Sequence, residues 1–516
     1  MRRVALLAGV LLALAAVAVF TMSTKPAASR ATIETGQAAT VTSVNRSCPP
    51  SSPGEGAARV AMIAVPAQSA ASSPAGTAKV AGGVTAGSAT LSSVPAAPAA
   101  PAATTPAKGK PTTGSTPKQG STQGASTAKT VAPVTVDAPG AATTVTAPGG
   151  GGGGTSVSAT GQMAEGFEAE QANSAGLGLV SCSHPSSDMW FVGSGEPDVW
   201  LYLTNAGTAE ASVDVTILTD TGQQSGLADA ITVAPNQVIA ENVAPYVHGA
   251  QAIAMHVQTS SGQIAASVWE GAGSGNGAWV PQSAAPSTSV VIPGLTVASS
   301  SARLFVTVPG AANAKLKVVA YTPAGAYTQF DSASVPVQAS AAATTPVTLS
   351  SLGASAAGLV LTSNVPIVAG VLVPGAGIGS FTAGAAPVAA QGVVAGNPAT
   401  RGLTVGLLLT APAAAVSASV DIIASDGTVT SPAALQDVSV AAGRTLAIAV
   451  PRPSGRDPFA IVLTPRAGSG PLYAARVVTS GTGGLTAEAT SLLPVQSALT
   501  KITLPPVQNS YTAVLP

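Results

Sequence analysis

Leu201–Gly222 reads LYLTNAGTAEASVDVTILTDTG, Leu304–Gly325 reads LFVTVPGAANAKLKVVAYTPAG, and Leu407–Gly427 reads LLLTAPAAAVSASVDIIASDG. Leu201, Leu304 and Leu407 are each 103 residues apart. Every copy is a strand-like run ending in Thr, a turn of small residues, and a second run with Val at an equivalent place (Val215, Val318, Val420) before a turn glycine. A second block keeps the same spacing: Val257, Ile264 and Val268 correspond to Val360, Ile367 and Val371, and Val462 follows Val360 by 102. Two independent blocks at one spacing establish an internal repeat.

A period near 100 residues is too long for a solenoid unit or a propeller blade. It is the size of one β-sandwich. Strand signals recur every 8–12 residues between Gly, Pro and Asn, without sustained helical periodicity. The expected fold is therefore all-β, with three tandem Ig-like sandwiches at 161–283, 286–388 and 391–516, the last including a C-terminal strand around Ile502–Val507. Charged residues are only 8% and aromatics 3% of the 516, and Ala, Val, Thr, Ser and Gly dominate, which suits strands and turns. Gly358–Gly377 is the best second hydrophobic stretch, but Ser363, Asn364, Pro366 and Pro374 interrupt it. It reads as two buried strands around a turn rather than a membrane span.

Outward from the repeats, the N-terminus sets the compartment. Arg2 and Arg3 precede an apolar run from Val4 to Phe20. That length is near the lower limit for crossing a hydrocarbon core and exceeds a usual signal-peptide core. The flanking arginines keep the N-terminus cytoplasmic, so the chain after Lys25 is expected outside the plasma membrane, tethered through residues 4–22. The small residues PAASRA that follow offer a peptidase a cleavage point, which would release a secreted form. Residues 1–25 are thus read as an anchor, 31–68 as N-terminal strands of the first domain, and 70–160, rich in Ala, Pro, Thr, Ser and Gly, as disordered.

Cys48 and Cys182 are the only cysteines. Outside the membrane such a pair most simply forms one disulfide. No CxxC or neighbouring His pair supplies tetrahedral spacing, so no metal and no cofactor are expected.

The zero net charge conceals segregation. Residues 161–280 carry twelve acids and no Lys or Arg, while residues 1–160 and 281–516 are both net basic. All four tryptophans and all three histidines lie in that acidic stretch. No GxSxG elbow or HExxH is present, and three histidines allow few catalytic arrangements. His256 is expected to pack in or beside a sheet, since its repeat equivalents are Leu359 and Ile461. Exposed indoles stack on sugar faces while nearby carboxylates accept hydroxyl hydrogen bonds. Trp190, Trp200 and Trp279 with Glu196 and Asp198 are therefore the candidate glycan-binding set. Packing of these rings in a sandwich core is the competing reading. The compartment and the acidic domain disfavour nucleic acid.

Around Cys182-Ser-His-Pro, Asp188-Met-Trp-Phe-Val-Gly193 and Leu201-Tyr-Leu-Thr-Asn205, the chain resembles actinobacterial membrane-anchored secreted proteins built on a domain of unknown function. The resemblance implies a Gram-positive-type or mycolate envelope and carries over no functional residue. The expected role is a non-enzymatic, membrane-tethered extracytoplasmic protein that binds or scaffolds a cell-wall polysaccharide or a basic envelope protein. The alternatives are an accessory subunit of a membrane glycan-assembly enzyme and, more distantly, a glycoside hydrolase using two of the carboxylates.

Overall fold

The computed structural model describes residues 38–65, 87–97, 133–137, 139–147, 152–173, 177–224, 227, 230–271, 277–296, 302–328, 337–349, 356–375, 378–455, 458–480 and 489–503. The expected anchor and most of 70–160 lie outside them. Among the described residues no helix is long and apolar enough to cross a membrane. The described elements are antiparallel strands and three short 3-10 turns. Two units are present: residues 41–500, and a small unit in which Ala38–Thr40 pairs with Lys501–Thr503. The expected C-terminal strand is thus present in part, and the remainder of 502–507 is not described.

The three repeat copies form equivalent strands with equivalent partners. Asp198–Asn205, Arg303–Val308 and Leu403–Ala411 are each central in one sheet, between a strand on one side (Gln237–Asn242, Ala343–Thr348, Arg444–Ala449) and the second repeat block on the other. Ala211–Thr219, Ala314–Thr322 and Val416–Ile423 lie in the opposing sheets. Large apolar side chains alternate inward and fill one core per sandwich.

Two features differ from the sequence reading. The first is the stretch Ala357–Val373, which is one continuous strand rather than two around a turn. Its first half pairs with Ala314–Thr322 and Ser287–Leu295, and its second half with Arg303–Val308 and Ser380–Ala383. In the other repeats the same path is split into Ile253–Ser261 with Ala265–Gly271, and Phe459–Pro465 with Tyr473–Ser480. Pro366 is tolerated because it sits where the strand passes between sheets, on an exposed stretch.

The second is a fourth sandwich at the N-terminus. Ser43–Cys48, Gly154–Thr160, Ala89–Val94 and Val134–Val136 make one sheet, and Thr143–Thr146, Arg59–Ala64, Phe167–Ala172 and Val180–Ser181 the other. The expectation of disorder over 70–160 is therefore corrected at these strands, and residues 154–181 belong to this sandwich rather than to the acidic one, which begins at Asp188. Its core holds Met62, Phe167, Leu91, Val157 and the Cys48–Cys182 disulfide. Small Ala, Val and Thr residues suffice because the sheets are short and the bonded cysteines join them.

Successive sandwiches meet through the threonine that ends each quoted strand. Thr204, Thr307 and Thr410 are all buried. Thr307 and Thr344 share a hydrogen bond, and Thr344 Oγ1 donates to Leu218 O of the preceding sandwich at 2.9 Å. Thr410 repeats the arrangement, bonded to Thr445 and donating to Pro293 O at 2.9 Å. At the first joint Val238, opposite Thr204, bridges Ala96 of the N-terminal sandwich. The N-terminal sandwich also packs Ala61, Ile63 and Val65 against Val393, Ala395 and Val462 of the third repeat.

A shared turn yields a stability prediction. Asn236, Ala342 and Gly443 precede equivalent strands and all have positive φ (53°, 48° and 69°). Asn and Gly tolerate this region, whereas alanine pays for its Cβ there. Ala342→Gly is expected to stabilise the second repeat by about 1 kcal/mol, read as a raised denaturant midpoint; a lowered midpoint would refute the strain.

Candidate functional site

Strand register decides where the candidate aromatic residues go. Trp200, Trp269 and Trp279 are directly opposite one another across three neighbouring strands. Tyr202 follows Trp200 by two and therefore shares its face. This row forms the outer face of one sheet of the first repeat, and Val94 and Val180 of the N-terminal sandwich cover it. Trp269 and Trp279 are buried as a result, and Trp200, stacked with Tyr202 at 6.5 Å between centroids, is half-buried at the edge. Trp269 needs the adjacent glycines: a Cβ on Gly271 or Gly277 would lie 2.1 Å from ring atoms.

Trp190 stands on the other sheet and is buried. Its ring stacks on His256 at 3.8 Å, and His256 Nε2 lies 3.2 Å from Asp188 Oδ1. Burial holds the His256 pKa below its ordinary value, against the opposing pull of Asp188. The sheet-packed histidine agrees with the sequence reading. The five candidate glycan residues, however, do not converge on one exposed platform. Trp190 and Trp279 are packed on different sheets, and only Trp200, Glu196 and Asp198 keep partial exposure at one end of the sandwich. The alternation of a strand places a ring on a face, but the covering domain determines whether that face meets water.

The acids also separate by environment. Glu168 bonds Arg46 at 2.8 Å, and Glu170 bonds Arg476 at 2.9 Å; both pairs are buried. Burial raises the Glu168 pKa despite the opposing Arg46. Glu270 is fully buried in the first repeat. Its Oε2 accepts hydrogen bonds from Ser194 N (3.0 Å) and Ser194 Oγ (2.7 Å), while Oε1 has no partner among the described residues. Oε1 occupies the space a side chain at position 193 would need, so Gly193 makes room for it.

Burial pushes the Glu270 pKa up to about 7, with the Ser194 bonds opposing. Its ordinary value is 4.5, so folding favours the protonated acid. The sign follows: the Glu270 contribution is most favourable below about pH 4.5 and is lost as pH rises through about 7. The difference amounts to roughly 3 kcal/mol. Glu270→Gln is expected to raise the unfolding midpoint at pH 8 and to flatten its pH dependence between 5 and 8. An unchanged profile would show that Glu270 stays ionised in the fold.

A cleft of about 30 Å³ opens where the N-terminal sandwich, the first repeat and the third repeat meet. It is lined by Trp279, Ser181, His184, Ser267, Gln282 and Gln496, with apolar walls from Leu179, Val280 and Leu493. His184 is exposed, and partial desolvation, reinforced by Arg46, lowers its pKa. The sequence offered no signal for this grouping, since His184, Gln282 and Gln496 are far apart in the chain. Among the described residues no group of three or more His, Cys, Asp or Glu is placed to hold a metal.

The model of a family of unknown function, DUF5719, matches residues 134–451. The chain belongs to this family. No curated protein and no solved structure matches the chain. The DUF5719 match begins inside the N-terminal sandwich, at the strand Val134–Val136, and ends just beyond Arg444–Ala449 of the third repeat. It thus takes in the aromatic row, the acidic sandwich and the His184 side of the cleft, but not Gln496.

Proposed function

We propose that this chain is a non-enzymatic extracytoplasmic envelope protein of actinobacterial type, tethered through residues 4–22. Three Ig-like repeats and the N-terminal sandwich present a binding surface to a cell-wall polymer or a basic envelope partner. The Cys48–Cys182 disulfide carries this reading. Both cysteines of the chain are consumed in one bond inside a sandwich core, as expected where thiols are oxidised. The apolar run at 4–20, preceded by Arg2 and Arg3, supplies the route to that compartment.

The joints support a scaffold. Each sandwich is fastened to the next by buried hydrogen bonds, and the N-terminal sandwich is fastened to both the first and the third repeats. Such joints hold surfaces of several sandwiches at fixed separations, which suits engagement of an extended polymer. The acids that remain exposed, Asp188, Glu210 and Asp214 among them, favour a basic partner on the first repeat.

The test has two arms. The full chain, expressed in an actinobacterial host, is fractionated and its thiols are probed under denaturing conditions. Membrane association with no free thiol supports the reading, and a soluble cytoplasmic pool with two free thiols overturns it. The detergent-solubilised chain is then sedimented with purified cell-wall polysaccharide. Co-sedimentation supports polymer binding, and its absence leaves the basic envelope partner as the occupant.

A further inference from the structure

The three-domain cleft combines an aromatic wall, apolar flanks and uncharged hydrogen-bonding groups. Its lining holds no Lys, Arg, Asp or Glu: the polar groups are serines, glutamines and His184. This is notable beside a first repeat rich in acids, because a charged ligand would find no counter-charge there. Ser183 Oγ is already committed to Ala266 O at 2.9 Å. The amides of half-buried Gln282 and exposed Gln496 make no hydrogen bond to the described residues. Each offers two donors and an acceptor. The enclosed space suits two or three water-sized groups, so it admits one substituent of a ring rather than a whole ring.

We propose that this cleft is a subsite for an uncharged sugar, whose exocyclic hydroxymethyl or acetamido group enters between Trp279 and the two glutamines. This rests on the reading of the chain as a binder of envelope polymer. It moves the contact away from the Trp200 end of the sandwich to the junction of three domains. It also gives the joints a role, since the cleft exists only while the N-terminal sandwich, first repeat and third repeat stay assembled.

The experiment is calorimetric titration of the full detergent-solubilised chain with N-acetylglucosamine tetramer, with the cationic glucosamine tetramer as comparison. Gln282→Ala, Gln496→Ala and Trp200→Ala are titrated alongside, with thermal midpoints measured to confirm folding. The expected result is saturable binding of the neutral oligomer, weakened about tenfold by either glutamine change and unaffected by Trp200→Ala. Absence of binding by the neutral oligomer, equal binding of both oligomers, or indifference to both glutamine changes overturns the cleft assignment. Co-sedimentation of Gln282→Ala with wall polysaccharide at the parent level would remove the cleft while leaving the polymer-binding reading intact. Loss of co-sedimentation by the parent chain itself would remove polymer binding as a whole.

Discussion

Arg476→Met lowers the stability of the assembled body by about 3–5 kcal/mol, the cost of leaving one partner of a buried ion pair alone. Arg476 is fully buried on Tyr473–Ser480 of the third repeat. Its Nη1 donates to Glu170 Oε2 at 2.9 Å and to Gly396 O at 3.2 Å, and Gly396 N donates to the same carboxylate oxygen at 3.0 Å. Removing the guanidinium leaves the Glu170 carboxylate buried with a single backbone donor on that oxygen. The pair joins residues 306 apart, so the loss falls on the joint between the N-terminal sandwich and the third repeat. Among the described residues Arg476 Nε and Nη2 have no partner, which makes the arginine costly to bury. The double change Glu170→Met with Arg476→Met is therefore expected to recover most of the loss. Denaturant midpoints of the two single variants and the double variant check this. Additive losses in the double variant would show that the two charges do not depend on each other.

Replacing Cys48 and Cys182 together by alanine is expected to cost the N-terminal sandwich up to about 5 kcal/mol, the chain-entropy value for a loop of this length. The bond spans 134 residues and joins Cys48, at the end of Ser43–Cys48, to the segment leading into the first repeat. The neighbouring bridge between Ser47 and Ser183 and the His184 side of the cleft depend on the same segment. Thermal unfolding of the oxidised, reduced and doubly substituted chains checks it. The reduced parent and the Cys48→Ala/Cys182→Ala chain should share a lowered transition, with the second repeat least affected because none of the described residues in the disulfide core belongs to it. Identical midpoints in all three forms would show that packing alone holds the segment.

The repeat copies were legible because their spacing is independent of tertiary context: Leu201, Leu304 and Leu407 sit on equivalent strands with equivalent neighbours. Strands of the N-terminal sandwich within 31–68 were legible, but later ones such as ATLSSV at Ala89–Val94 were hidden because they have the composition of the surrounding linker. They become strands by pairing with Gly154–Thr160 and burying Leu91 and Val157 around the disulfide. The covering of the aromatic row was hidden for a related reason. Strand alternation put Trp200, Trp269 and Trp279 on one face, but nothing local announced that Val94 and Val180 would cover it.

By itself, then, the sequence determined the all-β class, the repeat of 103 residues and the pairing of its only two cysteines, because periodicity, turn residues and a count of two leave few alternatives. Only the tertiary structure decided which tryptophans are covered, which acids are buried against arginines, and that His184, Gln282 and Gln496 share a cleft. Those outcomes depend on contacts between residues as far as 306 positions apart, set by how one sandwich seats on another rather than by any local pattern.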